Sequence, residues 1–171
     1  MARYTILTTI LCFILTQSCS ISLINRSIDY DVLKTFNVEQ FGVKAANAPP
    51  IIGQQFSEQL KTRVLNNTKL AYVQEERDGD VLFSGDVVGY TIEALAPQPN
   101  QTVALQRLSI QIAIQYRTPP VKDGSGDWTQ TFSRFANFSA EQELSAVETQ
   151  LITEIYDQIM DDVFNKAFSG W

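Results

Sequence analysis

The sequence predicts an α+β fold: a two-layer sandwich with two helices on one face of a four- to five-stranded, mostly antiparallel or mixed sheet. Three observations favour this class. Apolar residues recur at every fourth position from Ile52 to Val64, as on one face of a helix. Apolar and polar residues alternate from Arg107 to Arg117, which indicates a strand with one buried and one wet face. A broad apolar stripe from Leu151 to Phe164 predicts a longer second helix.

The remaining elements follow from breaks in these patterns. The prolines Pro49 and Pro50 end a loop over 45–50 and lead into the first helix, which should end near Asn67. Ser145 and Glu148 have the spacing of a capping box at the start of the second helix. Four further strands are predicted, the third of them with a bulge at its glycines: Val32–Phe41, Leu70–Val73, Val81–Ala94 and Trp128–Phe135.

The N-terminus has the pattern of an export signal. A single positive charge, Arg3, precedes an apolar run from Ile6 to Leu15, about half the length needed to cross a bilayer. Ser18 and Cys19 then follow as in a bacterial lipobox, although Thr16 and Gln17 depart from the commoner residues. We predict a lipoprotein signal peptide over 1–18; the alternative is an ordinary secretory peptide beside an unmodified Cys19.

Lipidation would act on the Cys19 thiol, because a thiolate is needed to form the thioether with diacylglycerol. Diacylglyceryl and N-acyl groups, palmitate among them, would be the only attached groups, and no other cofactor is expected. Residues 19–29 would form a lipidated tether, and residues 30–171 a single domain.

Composition excludes several function classes. The chain has no histidine, which removes the commonest general base. Its two cysteines are Cys12 and Cys19, so cleavage before Cys19 would leave one thiol and no internal disulfide. Loss of Arg3 would leave 12 basic and 19 acidic residues, a net charge of −7, which argues against nucleic acid. Asp78-Gly79-Asp80 resembles part of a calcium loop but lacks the other ligands, so we interpret it as a structural turn and predict no metal site.

The chain resembles the lipopolysaccharide-assembly lipoprotein family LptE, in its short form, from Cys19 to Trp171. The order of five short segments carries the resemblance, beside the lipobox: 56–60 (FSEQL), 83–90 (FSGDVVGY), 104–110 (ALQRLSI), 132–138 (FSRFANF) and 161–165 (DDVFN).

The resemblance implies a lipoprotein anchored in the outer membrane, facing the periplasm and the inside of a barrel. It would partner and plug the β-barrel LptD, so that the pair places lipopolysaccharide in the outer leaflet. No enzymatic activity is implied. The half-polar sheet predicted above agrees with insertion into a barrel whose interior is polar.

Contact with an anionic glycolipid would need arginines, which bind phosphate in a forked geometry. Arg107 and Arg117 lie on the wet side of the clearest strand, and Arg134 lies on its predicted neighbour. The more economical interpretation is that all three are solubilising strand charges.

Two other functions stay open. One is a periplasm-facing lipoprotein that binds another ligand or supports a different envelope complex. The other is an anchored hydrolase that uses Glu75, Glu76, Asp78 and Asp80, but carboxylates in a wet turn lack the burial that a working general acid needs.

Overall fold

The computed structural model describes residues 28–96, 104–119 and 126–168, so the predicted signal peptide, Cys19 and most of the tether lie outside the described residues. Two helices pack on one side of a mixed sheet, which confirms the predicted fold class. The helices are α1 (Ile52–Asn67) and α2 (Leu144–Phe168), and the strands are β1 (Thr35–Val38), β2 (Gly42–Val43), β3 (Ala71–Tyr72), β4 (Val81–Ala94), β5 (Leu105–Arg117) and β6 (Trp128–Ser139). Within the described ranges, neither helix has a stretch long and apolar enough to span a bilayer.

The sheet has a parallel part and an antiparallel part. The strand order is β3-β1-β4-β5-β6, and β2 pairs with β4 further along the same edge as β1. β1 runs parallel to both of its neighbours, whereas β4, β5 and β6 form an antiparallel meander of long strands. The α1 helix connects the parallel strands β1 and β3, as a crossover between parallel strands requires.

The core lies between the sheet and the two helices. The side chains of Ile110, Ile112 and Ile114 on β5 are fully buried, which confirms the predicted alternation. The predicted stripe of α2 packs against them, with Ile155, Tyr156 and other members of the stripe also fully buried. Phe56 of α1 contacts the ring of Tyr156 edge-on at 5.1 Å, so the two helices also pack against each other.

The first predicted strand is shorter than expected. Only Thr35–Val38 forms β1, and the chain leaves the ladder before it re-forms as β2. The cause is the amide of Phe41, which donates to the hydroxyl of Ser57 on α1 at 2.8 Å instead of to a neighbouring strand. This bond turns the Phe41 side chain, which is 2% exposed, into the core. The alternation in Val32–Phe41 therefore covers a strand, a break and the approach to a second strand.

The predicted bulge in β4 is present between Val87 and Gly89, where the register against β5 shifts by one residue. Before the bulge, odd-numbered residues such as Phe83 and Val87 face the helices; after it, even-numbered residues such as Tyr90 do so. Gly85, earlier in the strand, allows a close approach of backbones. A Cβ added there would lie 2.1 Å from the carbonyl oxygen of Ala113 and 2.8 Å from the ring of Phe41.

The start of α2 differs from the predicted capping box. The helix begins at Leu144, which places Ser145 within the first turn and not at the N-cap. Glu148 does not fold back as a capping residue; its carboxylate accepts a hydrogen bond from the hydroxyl of Tyr90 on β4. Burial and the Glu148 contact together raise the pKa of Tyr90. The Glu148 side chain therefore fastens α2 to the sheet.

We predict that Gly85→Ala destabilises the fold by about 1–3 kcal/mol, because the new methyl group would overlap the backbone of Ala113. Urea denaturation followed by circular dichroism measures the loss. Gly89→Ala is the comparison within the same strand, since its Cβ would meet only side-chain atoms of Gln111. Equal stability of the Gly85 variant and the wild type would contradict the close approach.

Candidate functional site

The sheet face opposite the helices, here called the open face, is lined mainly by neutral polar side chains. Its members follow from the register, because directly paired residues point to the same side. On the three long strands they are Ser84, Asp86, Gly89, Thr91 and Glu93 of β4, Arg107, Ser109, Gln111, Ala113, Gln115 and Arg117 of β5, and Thr129, Thr131, Ser133, Phe135 and Asn137 of β6. The prediction of one buried and one wet face is confirmed, and the wet face can form hydrogen bonds along its whole length.

One end of the open face is covered by the turn around the short 3-10 helix Glu76–Asp78. Asn37 is 4% exposed, and its side-chain amide donates to the backbone carbonyl oxygens of Val73 and Gln74 at 3.0 and 3.1 Å. Leu82 is buried beneath the same turn although its side chain points away from the helices. The free part of the open face is therefore the part formed by β4, β5 and β6 away from this turn.

The acidic turn is held by hydrogen bonds to the backbone. The carboxylate of Asp80 accepts hydrogen bonds from the backbone amides of Lys34 and Thr35 at 2.8 and 3.0 Å. These bonds join the turn to the start of β1. Partial burial opposes ionisation of Asp80, but these hydrogen bonds outweigh it and lower the pKa. Glu75, Glu76 and Asp78 are exposed. The turn is thus a structural element, and its carboxylates lack the burial that acid catalysis would need.

Arg117 is bound to this turn. Its Nη2 atom lies 2.6 Å from a carboxylate oxygen of Glu76. Glu39 is the second carboxylate beside the pair: partial burial and the charge of Glu76 raise the pKa of Glu39, while the charge of Arg117 acts in the opposite direction. The Arg117 guanidinium is consequently neutralised by its own chain, and it holds the turn against the end of β5.

Arg107 lies at the other end of the open face, ten positions away along β5, or about 33 Å in an extended strand. Its guanidinium stacks 3.8 Å from the ring centre of Phe135, and its Nε donates to Asn137 Oδ1 at 3.0 Å. Phe135 is 46% exposed. Glu93 is the cross-strand neighbour on β4, yet no ion pair to Arg107 forms among the described residues.

Arg134 lies on the opposite face. It pairs in register with Ile110, whose side chain is buried under the helices, so Arg134 points to the helix side of the sheet. Its guanidinium forms an ion pair of 2.6 Å with Asp162 of α2. The structure does place Arg134 on the strand next to β5, as predicted, but it does not bring the three arginines together.

The pairing of Arg107 with Phe135 was not predicted from the sequence. Phe132, Ala136 and Phe138 alternate onto the buried side of β6, which leaves Phe135 out of phase with them. That phase is the signal in the sequence that marks Phe135 as an exposed aromatic residue. Its contact with Arg107 depends on the register between β5 and β6, which the sequence does not state.

The fold and the open face define a small α+β domain in which helices cover one face of the sheet, while in the described residues only a turn covers one end of the other face. A family model described as LptE, lipopolysaccharide-assembly, matches residues 33–167, more than three quarters of the chain. The chain therefore belongs to the LptE family. Membership confirms the resemblance and indicates a lipoprotein of lipopolysaccharide assembly. Among curated proteins, none matches this sequence.

Several solved structures of lipoproteins have a similar arrangement of elements. A minor lipoprotein from Acinetobacter baumannii aligns with a TM-score of 0.48 and 14% identity over 79% of this chain and 92% of its own. Lipoprotein B from Nitrosomonas europaea gives 0.45 and 14% over 77% and 79%, and rare lipoprotein B from Shewanella oneidensis gives 0.39 and 13% over 76% and 89%. With scores below 0.5, these likenesses carry no functional argument.

We predict that Glu76→Gln lowers the pKa of Glu39, because the substitution removes the negative charge that helps to raise it and leaves Arg117 nearby. Carboxyl titration by NMR measures the change. The control is Glu75→Gln, which alters the neighbouring exposed carboxylate without touching the ion pair. An unchanged Glu39 titration in the Glu76 variant would show that the three side chains do not interact in solution.

Proposed function

We propose that this protein is an outer-membrane lipoprotein that partners and plugs the β-barrel LptD for the assembly of lipopolysaccharide in the outer leaflet. The observation that carries the proposal is the family match over residues 33–167. It would face the periplasm and the barrel interior, held by diacylglyceryl and N-acyl groups on Cys19. Each methylene of such chains that enters the membrane contributes ~0.8 kcal/mol.

The open face supports insertion into a barrel. The interior of a transmembrane barrel is polar, so a plug must offer hydrogen-bonding side chains at its wall. Serine, threonine, glutamine and asparagine side chains repeat across β4, β5 and β6 on this face, and Thr129, Thr131, Ser133 and Gln111 are all exposed. Acidic side chains are instead concentrated on the outer side of α2, where Glu154, Asp157 and Asp161 are exposed. We assign the neutral part of the open face to the barrel wall.

We propose a non-enzymatic role. The sequence supports it, because the chain has no histidine. Cleavage before Cys19 would also leave this lipid-modified residue as the one remaining cysteine. The commonest general base and the cysteine nucleophile are thereby removed.

We further propose that Arg107 is the arginine that touches the glycolipid. Arg117 and Arg134 are each bound to a carboxylate of the same chain, at 2.6 Å in both cases. Arg107 instead combines a guanidinium without an ion pair in the described residues with the exposed ring of Phe135. A glycolipid offers phosphate and acyl chains side by side, and this pair of side chains can contact both.

The first test is affinity purification of the tagged full-length chain from detergent-solubilised outer membranes. We expect one large β-barrel in stoichiometric amount, and a chain mass raised by the acyl groups on Cys19. A barrel identified as LptD supports the proposal. Recovery of the lipidated chain alone would contradict the partnership and favour a lipoprotein that binds another ligand.

The second test is Arg107→Glu, which we expect to weaken binding of purified lipopolysaccharide roughly tenfold, since a charge-assisted hydrogen bond is lost and a repulsive charge is added. Arg77→Glu is the matched control, because it changes the net charge equally at a turn residue whose side chain is 80% exposed. Both variants should unfold at the same temperature as the wild type. Equal loss in both would indicate a general charge effect, and no loss in the folded Arg107 variant would exclude this contact.

A further inference from the structure

Among the residues that the structure describes, the outer edge of β6 is a long strand edge without a partner strand. β6 is the last strand in the sheet order, and twelve of its residues pair in continuous register with β5 on the other side. Twelve residues of extended chain measure about 40 Å. No register shift interrupts the β5–β6 pairing, so the edge is regular along its whole length.

The register shows which backbone groups point outward. The amide of Ala140 donates to the carbonyl of Ala104 at 2.9 Å, so even-numbered residues of β6 bond to β5 and odd-numbered residues bond away from it. The outward groups belong to Thr129, Thr131, Ser133, Phe135 and Asn137. Among the described residues, the one hydrogen bond to these groups is that of the Ser133 carbonyl, which accepts from Arg134 at 3.3 Å.

The two edges of the sheet are treated differently. Proteins usually protect an edge by shortening it, or by placing lysine, proline or a bulge on it. The edge strand at the other side, β3, is two residues long. β6 contains no proline, glycine or lysine, and its one charged residue, Arg134, is tied back to Asp162. In the described part of the chain, one edge of the sheet is thus short and the other is able to accept a strand.

A groove runs beside this edge between β6 and the second half of α2. It encloses about 390 Å³, and its lining includes Thr131, Ser133, Arg134, Asp162 and Lys166. Two cations and one carboxylate give it a positive balance, against the net charge of −6 for the chain. Recognition of an extended peptide between an edge strand and a flanking helix uses this geometry, with backbone hydrogen bonds on one side and side-chain pockets on the other.

We propose that β6 and the groove beside α2 bind an extended segment of a partner protein as an added strand, with an acidic side chain of that segment beside Lys166. The inference rests on the proposed function, because it takes the segment from the barrel partner. A closed barrel has no free strand edges. The segment must therefore come from a loop or a terminus of the barrel protein and not from a strand of its wall. A second copy of this chain is a poorer occupant, since two chains that each carry a net charge of −6 repel each other.

The test is amide-resolved hydrogen exchange of the wild-type chain, free and in the complex purified with its barrel. In the free chain, the amides of Thr129, Thr131, Ser133, Phe135 and Asn137 should exchange fast, while the even-numbered amides between them are protected. In the complex, we expect the odd-numbered amides to slow by at least about tenfold. Protection of the odd-numbered amides to the level of the even-numbered ones is decisive, because burial of the open face alone would not give these N–H groups a hydrogen-bond acceptor.

The outcomes separate the two levels of the proposal. Complex formation with unprotected odd-numbered amides would overturn strand addition and leave the partnership intact. Failure to form any complex would overturn the proposed function, and strand addition with it. Protection in the free chain that disappears on dilution would identify a second copy as the occupant and overturn the assignment to the partner.

A pair of variants tests the same edge without exchange measurements. Thr131→Pro removes an outward N–H and leaves the bonds to β5 in place, as proline on an edge strand can do. Thr131→Ala removes the side chain but keeps the N–H. We expect the proline variant to bind the barrel roughly tenfold more weakly than the alanine variant, because both lack the threonine side chain but only the proline variant lacks the outward N–H. Equal binding by both folded variants would contradict the proposal.

Discussion

The buried hydroxyl of Tyr156 links the two helices into one layer. It donates to the carbonyl oxygen of Ile52 at the start of α1 at 2.9 Å, while the ring packs edge-on against Phe56. Burial raises the pKa of Tyr156, so the hydroxyl stays protonated and able to donate over the whole neutral range. Phe56 in turn contacts Phe41 at the break between β1 and β2. Because both helices are fixed to the same side, no helix of the described ranges other than the short turn Glu76–Asp78 covers the other side of the sheet.

The antiparallel meander gives this side of the sheet a large surface of hydrogen-bonding side chains. Three strands of 12 to 14 residues present their outward side chains in parallel rows, and neutral amides and hydroxyls fill most positions. Such groups form hydrogen bonds with a polar surface without the desolvation cost of charges. The charged residues on this side lie mainly at its ends, where Arg117 fastens the turn and Arg107 stacks on Phe135. All of these charged residues belong to β4 and β5, and β6 contributes none to the open face.

The sequence predicted those elements whose signal is periodic. The limits of α1 and β4, the bulge near Gly89 and the buried side of β5 follow from spacing alone, because each extends over many residues. The break after Val38 was missed because it depends on the hydrogen bond from Phe41 to Ser57, sixteen positions further along the chain. The start of α2 was misassigned because Glu148 finds a partner in Tyr90 that local spacing cannot reveal.

The candidate site was predictable to the same degree. Alternation assigned Arg107 and Arg117 to the wet side of β5, which the register confirms. Their separation, the ion pairs of Arg117 and Arg134, and the stacking on Phe135 all depend on contacts between strands or between layers. The hydrophobic pattern therefore identifies which face is open, but the partners of each charge need the three-dimensional register.

The bulge at Val88 gives β4 two halves of opposite parity. Before it, even-numbered residues face the open side; after it, odd-numbered residues do. One inserted residue thus acts as a phase shift that lets Tyr90 reach Glu148 under the helices while Thr91 and Glu93 join the open face. As a consequence, an evolving sequence could redesign the far half of the face without disturbing the pattern that fixes the near half in the core. Substitutions in one half of this strand can therefore accumulate independently of the other half.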